Sequence, residues 1–372
     1  MTRVNDIVMA LLYSLPPVAA LICLIMMVLR RQSGLTEEAR RLTRIMLVTY
    51  SVAVFVWACM VMYIVAPAWF VVLQAPFFYT FPLWCVLLYR IVFELTGTGE
   101  QERFPIYHYI LPAILPLVCL IWSLFVPFEA QLYIVESRGQ AMEGYEAFTL
   151  LFASKPPVFA VWDFVYAFLC LRRITRYRRV IGDYTADQGR MPVRWLLTIF
   201  WLMIVGFLLP SAGVWSKTML MGSPWMGFLV LAFTVAQIML AYNVIAGNYV
   251  VIQPTEESSD LIHRDRQIDI EKFEQYILTK KTYLNPRLRI TDMATDLHTN
   301  RTYLSNFINA RYGMNFSRYV NRLRLEELDR MRLDPQHHHL TGMELVLHAG
   351  FTNYRAYLRV KKEEDRLRTI AE

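Results

Sequence analysis

The chain has 372 residues, with 38 Lys/Arg against 31 Asp/Glu for a formal charge of +7, and 56% of its residues are hydrophobic. A mean hydropathy of +0.32 excludes a single water-soluble globule, and the length allows two or three domains. The five cysteines, Cys23, Cys59, Cys85, Cys119 and Cys170, lie in apolar stretches with no CxxC pair, which excludes a disulfide framework in favour of small core hydrophobes.

The apolar residues concentrate in the first two thirds of the chain. Residues 7–29 form an apolar run ended by Arg30-Arg31. The run is too long for a signal-peptide core and has no small-residue cleavage site, so it reads as an uncleaved anchor. Six further runs follow, at 45–66, 69–93, 107–127, 148–171, 193–215 and 224–246. Each is about as long as a hydrocarbon slab of roughly 30 Å requires. Trp69, Tyr107, Trp195, Trp215 and Trp225 sit near run ends, where interfacial aromatics collect. The sequence therefore predicts a seven-helix transmembrane bundle over residues 1–247.

Charge in the loops orients it. Fourteen Lys/Arg follow the first, third and fifth runs, densest from Arg172 to Arg179, against four on the other side (Arg3, Arg138, Lys155 and Lys217). The positive-inside rule then places the N-terminus outside and everything after Asn248 on the cytoplasmic side of the membrane. The arginine run is also suited to anionic lipid head groups, although topology alone accounts for it. Arg90 and Glu94, four apart, read as a structural ion pair.

Within the fifth run Asp163 lies mid-span and Lys155-Pro156-Pro157 interrupts the outer third. A carboxylate at that depth is costly and should face the bundle interior with a partner. Asp163, with Gln74 and Gln237 as neighbours, is the candidate site for a small-molecule or membrane signal; a structural polar contact is the competing account. Pro16, Pro17, Pro76, Pro82, Pro112, Pro116 and Pro210 imply kinked helices. Residues 128–147 form the one external loop large enough to meet a soluble signal.

Residues 248–262 read as a linker, polar and turn-prone around Pro254. Residues 268–284 then read as an amphipathic helix through Ile270, Phe273, Ile277 and Leu278, the first of a soluble, all-helical domain over 263–372. Within it, 290–297 places Met293, Ala294 and Leu297 on one face, His298-Thr299 makes a turn, and Asn300 caps a helix over 301–310. Tyr303, Leu304, Phe307 and Ile308 form that helix's predicted buried side. Asn315 caps a long helix over 316–333 with apolar residues at Phe316, Val320, Leu323, Leu328 and Met331. The pattern then repeats: a short helix at 343–348, a turn at Ala349-Gly350-Phe351, and a helix from Thr352 or Asn353 to about Lys362. A short helix, a turn and a polar-faced second helix suit a major groove.

This stretch resembles the DNA-binding domain of the AraC/XylS family of bacterial transcription activators. The resemblance rests on Asp292-Met293-Ala294-Thr295-Asp296-Leu297, Thr302-Tyr303-Leu304-Ser305, Gly313-Met314-Asn315-Phe316, Tyr319-Val320-Asn321-Arg322-Leu323-Arg324, Ala349-Gly350-Phe351 and Tyr357-Leu358-Arg359-Val360-Lys361-Lys362. It implies a tandem helix-turn-helix whose connecting helix, about 27 Å at 1.5 Å per residue, carries two reading helices to successive grooves of double-stranded DNA. By position, Thr302, Ser305 and Asn306 would read bases in the first unit and Tyr354, Arg355 and Arg359 in the second. Arg301, Arg318, Lys361 and Lys362 would meet phosphates. Three departures stand out: His298 where the first turn usually has glycine, Lys361 in place of a core phenylalanine, and a charged Glu363-Glu364-Asp365-Arg366 end in place of a Gly-x-x-Pro-x-x-Tyr segment. Together they predict a less stable second unit.

No nucleotide fingerprint, P-loop, HExxH or Gly-x-Ser-x-Gly is present, and His337-His338-His339 lacks Cys or carboxylate company for a metal. The sequence thus predicts an all-α membrane-embedded transcription regulator rather than an enzyme, with no cofactor. Its partners would be DNA, lipid and an unknown signal, with a homodimer and RNA polymerase as further candidates. The alternative is a transporter or receptor whose C-terminal helices bind a protein partner. An enzyme with Asp163 catalytic comes third.

Overall fold

The computed structural model describes residues 2–31, 35–97, 102–181, 184–186, 195–201, 204, 224–249 and 268–371. Among these residues every regular element is a helix, and the single β-bridge is isolated. The chain divides into two compact units. One comprises Met1–Thr96, Glu102–Ile174 and Val193–Asn248, and the other Gly97–Gln101, Thr175–Pro192 and Tyr249–Glu372.

The first unit opens with α1 (Thr2–Arg31), α2 (Glu37–Val65) and α3 (Pro67–Leu95). Thr36 caps α2 by accepting from Ala39 N–H, and the junction to α3 is the single residue Ala66. Pro67 at the first position of α3 lacks only an N–H that the helix would leave unpaired. Among the described residues two helices, and not the expected seven, are long and apolar enough to cross a membrane, Ala39–Val65 and Pro67–Leu95; Ser14–Arg30, Tyr107–Ser123 and Val230–Ile245 are shorter apolar stretches. The expected fourth run is broken into α4 (Tyr107–Ile110), a 3-10 turn (Leu111–Ala113) and α5 (Ile114–Ser123). Pro112 and Pro116 remove the backbone donors a continuous helix needs there. The external stretch expected as a loop instead holds α6 (Phe128–Glu136). The expected fifth run is two helices, α7 (Glu146–Ala153) and α8 (Lys155–Ile181), separated at Ser154. With α9 (Pro224–Ile245), α1 packs against α2 and α2 against α3, and α1 also meets α9. Of the expected sixth run, residues 195–201 and 204 are described and helical; the rest of it, and the linker after Tyr249, lie outside the described residues.

All five cysteines are buried in this unit. Many large apolar side chains face outward, among them Val18, Ile22 and Leu29 on α1, Leu117 and Ile121 on α5, and Phe164 and Phe168 on α8. The expected Arg90–Glu94 pair forms at 2.6 Å, and Arg41 joins the same carboxylate at 2.7 Å.

The second unit contains α10 (Ile270–Lys280), α11 (Ile290–Asp296), α12 (Arg301–Tyr312), α13 (Phe316–Leu333), α14 (Gly342–His348) and α15 (Tyr354–Ala371). The long helix α13 serves two cores. Its first half buries Phe316, Tyr319 and Val320, with the Phe273 ring of α10 tilted against Tyr319 at 5.8 Å between centroids. Its second half places Leu328 against Leu345, Val346, Ala349, Phe351, Tyr357 and Val360. Only half of the stripe expected on α10 is buried, since Phe273 and Ile277 face inward while Ile270 and Leu278 are exposed. Tyr303, expected in the core of α12, is likewise exposed; Leu304 and Ile308 fill that space.

Candidate nucleic-acid interface

Both helix pairs of the second unit turn through the same device. After α11, His298 adopts φ 50° and Thr299 N–H reaches back to the Ala294 carbonyl at 2.9 Å. After α14, Gly350 adopts φ 91° and Phe351 N–H reaches the Val346 carbonyl at 3.2 Å. Each bond spans a left-handed residue and closes the end of a helix. Glycine enters that conformation freely and histidine at a cost. Gly350 meets a second demand, because a Cβ there would lie 2.7 Å from the Leu284 Cα and the Tyr283 carbonyl oxygen.

The caps also match. The Asn300 side chain accepts from Tyr303 N–H at 2.9 Å, and the Asn353 side chain accepts from Ala356 N–H at 2.9 Å. Of the two candidates for the second cap, Asn353 is therefore the one used. Matching caps put α12 and α15 in one register: Arg301, Thr302 and Asn306 correspond to Tyr354, Arg355 and Arg359, and Ser305 corresponds to Leu358. Thr302, Asn306, Tyr354, Arg355 and Leu358 are exposed; Arg301, Ser305 and Arg359 are half-buried. Ser305 receives a 3.5 Å hydrogen bond from Asn309 on the same helix. Leu358 was not among the residues expected at the site.

The residues expected at phosphates divide. Lys361 and Lys362 are exposed, while Val360 beside them is buried. Arg318 is engaged by Glu364, Nε donating to Oε1 at 2.7 Å and Nη2 to Oε2 at 3.3 Å. The Glu364 carboxylate raises the already high pKa of that guanidinium. This pair ties the connecting helix to α15, which continues well past Lys362 to Ala371.

Arg324 carries a structural role that the sequence reading did not assign. It is fully buried, donating from Nε to the Tyr283 carbonyl at 2.7 Å, from Nη2 to the Asn285 carbonyl at 2.7 Å and from Nη1 to Asn321 Oδ1 at 3.0 Å. Its signal was present in the chain: Val320, Arg324 and Leu328 share one helix face, so a cation interrupts an apolar stripe. Next to it, Glu327 takes hydrogen bonds from Lys281 at 2.6 Å and Tyr283 at 3.2 Å, with Arg330 at 2.9 Å. Burial opposes its charge, but the Lys281 hydrogen bond together with Arg330 outweighs that and holds its pKa below the ordinary glutamate value.

In the first unit, no hydrogen bond joins Asp163, Gln74 and Gln237. Gln74 instead accepts from Lys155 Nζ at 2.9 Å and donates to Gln131 at 2.7 Å. Lys155 Nζ also lies 4.6 Å from the Phe152 ring centroid. Asp163 Oδ1 meets the Cys85 thiol at 3.9 Å, while its Oδ2 and both side-chain amide atoms of Gln237 are buried without a hydrogen-bond partner. Lys155 and Gln131 were not expected at this cluster, because a helix break and an external loop gave no sign that they converge. Among the described residues no group of His, Cys, Asp or Glu is arranged to hold a metal. No family model, curated protein or solved structure matches the chain.

Proposed function

We propose that the chain is a membrane-embedded, one-component transcription regulator whose second unit reads double-stranded DNA in the AraC/XylS manner. The observation that carries the reading is the shared register of α12 and α15, capped by Asn300 and Asn353 at the two ends of one connecting helix. In that register Asn306 suits adenine, Arg355 and Arg359 suit guanine, and the exposed Leu358 suits a thymine methyl group. Arg301, Lys361 and Lys362 supply phosphate contacts that position the helices without reading sequence. Arg318 acts as a brace through Glu364 and not as a phosphate ligand.

The outward apolar side chains of the first unit support a bilayer environment, and the loop charges support seven crossings with the reader in the cytoplasm of a bacterium. A signal entering the bundle acts only if it binds the bundle's two states unequally; the unpartnered polar atoms of Asp163 and Gln237 are the groups it would satisfy. The chain works as a binding protein, without a catalytic step. Lipids, a second copy and RNA polymerase are partners compatible with that role.

The test is selection of duplexes from a random pool by the full-length protein in detergent. The expected product is a consensus of two half-sites about one helical turn, or roughly 10 base pairs, apart. Salt-sensitive binding without sequence preference overturns the reading.

A further inference from the structure

The second unit contains a short passenger from a distant part of the chain. Tyr184, Thr185 and Ala186 are all buried, and they run antiparallel to the backbone that leads into α11. Ala186 N–H donates to the Leu288 carbonyl at 3.2 Å, and Ile290 N–H donates to the Tyr184 carbonyl at 3.0 Å, bracketing the Thr185–Arg289 bridge. The Ala186 carbonyl then accepts from Arg324 Nη1 at 3.2 Å and from Asn321 Nδ2 at 3.3 Å. The Tyr184 ring lies under the Arg301 guanidinium, 5.9 Å from its centroid. Arg301 is the first residue of α12, the first reading helix.

The strap is short because it starts at a helix end. Tyr184 N–H and Thr185 N–H both donate to the Ile181 carbonyl, at 3.1 and 3.2 Å, closing α8. That helix begins at Lys155, whose Nζ donates to Gln74 at 2.9 Å. The reader's own core does not depend on the strap. Without it Arg324 retains Tyr283, Asn285 and Asn321, and Asn321 retains the Ser317 hydroxyl at 3.3 Å.

We infer that residues 184–186 are a releasable brake on the reader, docked along Leu288 to Ile290 and holding Arg301 against Tyr184, and that displacement of α8 withdraws it. This rests on the DNA-binding reading and names the regulation of that same surface. In the docked state the Arg301 guanidinium faces an aromatic ring, an attraction of the cation–π kind, and the backbone leading into α11 is pinned to the segment that follows α8. Release frees Arg301 for phosphate and lets the first helix pair adjust to a groove.

The bridge geometry provides the test. Thr185 and Arg289 face each other across the wider gap between ladder hydrogen bonds, where Cα atoms come to about 4.5 Å and a disulfide fits. The full-length T185C/R289C protein in lipid nanodiscs is measured, oxidised and then reduced, against the duplexes it selects from a random pool. The oxidised form is expected to bind several-fold more weakly than the reduced form of the same variant. Independently, Tyr184→Ala is expected to raise affinity several-fold over the wild type, because the cation–π contact that holds Arg301 is lost. Equal affinity of the oxidised and reduced forms, or failure of the pair to oxidise, overturns the brake while leaving DNA binding intact. Absence of selected duplexes in both forms and in the wild type overturns the DNA-binding reading itself, and the brake with it.

Discussion

His298 and Gly350 occupy equivalent turns, at φ 50° and 91°, yet they tolerate substitution in opposite ways. A left-handed backbone costs a residue with a Cβ roughly 1–2 kcal/mol. His298→Gly removes that strain and adds unfolded-state entropy, so it is expected to stabilise the second unit by about 0.5–1 kcal/mol. Gly350→Ala adds the strain and drives a Cβ to 2.7 Å from backbone atoms of Tyr283 and Leu284, so a loss above about 2 kcal/mol is expected. Chemical denaturation followed by hydrogen exchange in the second unit checks both. A neutral Gly350→Ala would contradict the packing described. The left-handed role of His298 was readable from the chain, because the family resemblance puts glycine there. The close approach at Gly350 was not, since it depends on the 3-10 turn Thr282–Leu284 lying against it.

At the scale of elements, the connecting helix Phe316–Leu333 matches the sequence expectation to the residue, and so does its Asn315 cap. Its apolar period and polar cap are local signals. Other elements needed contacts that sequence does not carry. α15 continues to Ala371 because no glycine or proline stops it and Glu364 is held by Arg318. Tyr303 is exposed although it sits at an apolar position, because Leu304 and Ile308 already fill the core. The junction of α10 with α13 makes a pH prediction. Glu327 is held below its ordinary pKa, so the stability it contributes is present above about pH 4.3, the usual glutamate value, and is lost as pH falls through its depressed folded value. Thermal unfolding of the wild type across acid pH is expected to show this loss, and Glu327→Gln is expected to flatten it. An unchanged acid limb in the variant would remove Glu327 from the account.

For the whole molecule, hydropathy made the long apolar helices Ala39–Val65 and Pro67–Leu95 legible, but not the irregular elements that follow them. Proline positions marked where α4 and α5 would break; the convergence of Lys155, Gln74 and Gln131 depends on three elements meeting and had no local sign. Orientation is open to direct measurement. Alkaline phosphatase fused after Glu372 is expected to be inactive, because that enzyme matures outside the cytoplasm, and the same fusion within the α6 region is expected to be active. The reverse pattern would place the second unit away from chromosomal DNA.

The distribution of sulfur has a practical result. All five native thiols lie buried in the first unit, and residues 249–372 contain no cysteine. A single cysteine introduced on the exposed surface of α12 or α15 would therefore be the one readily accessible site for a maleimide dye, with no need for a sulfur-free parent. Fluorescence from such a probe would report on α12 or α15 while the native sequence elsewhere stayed intact.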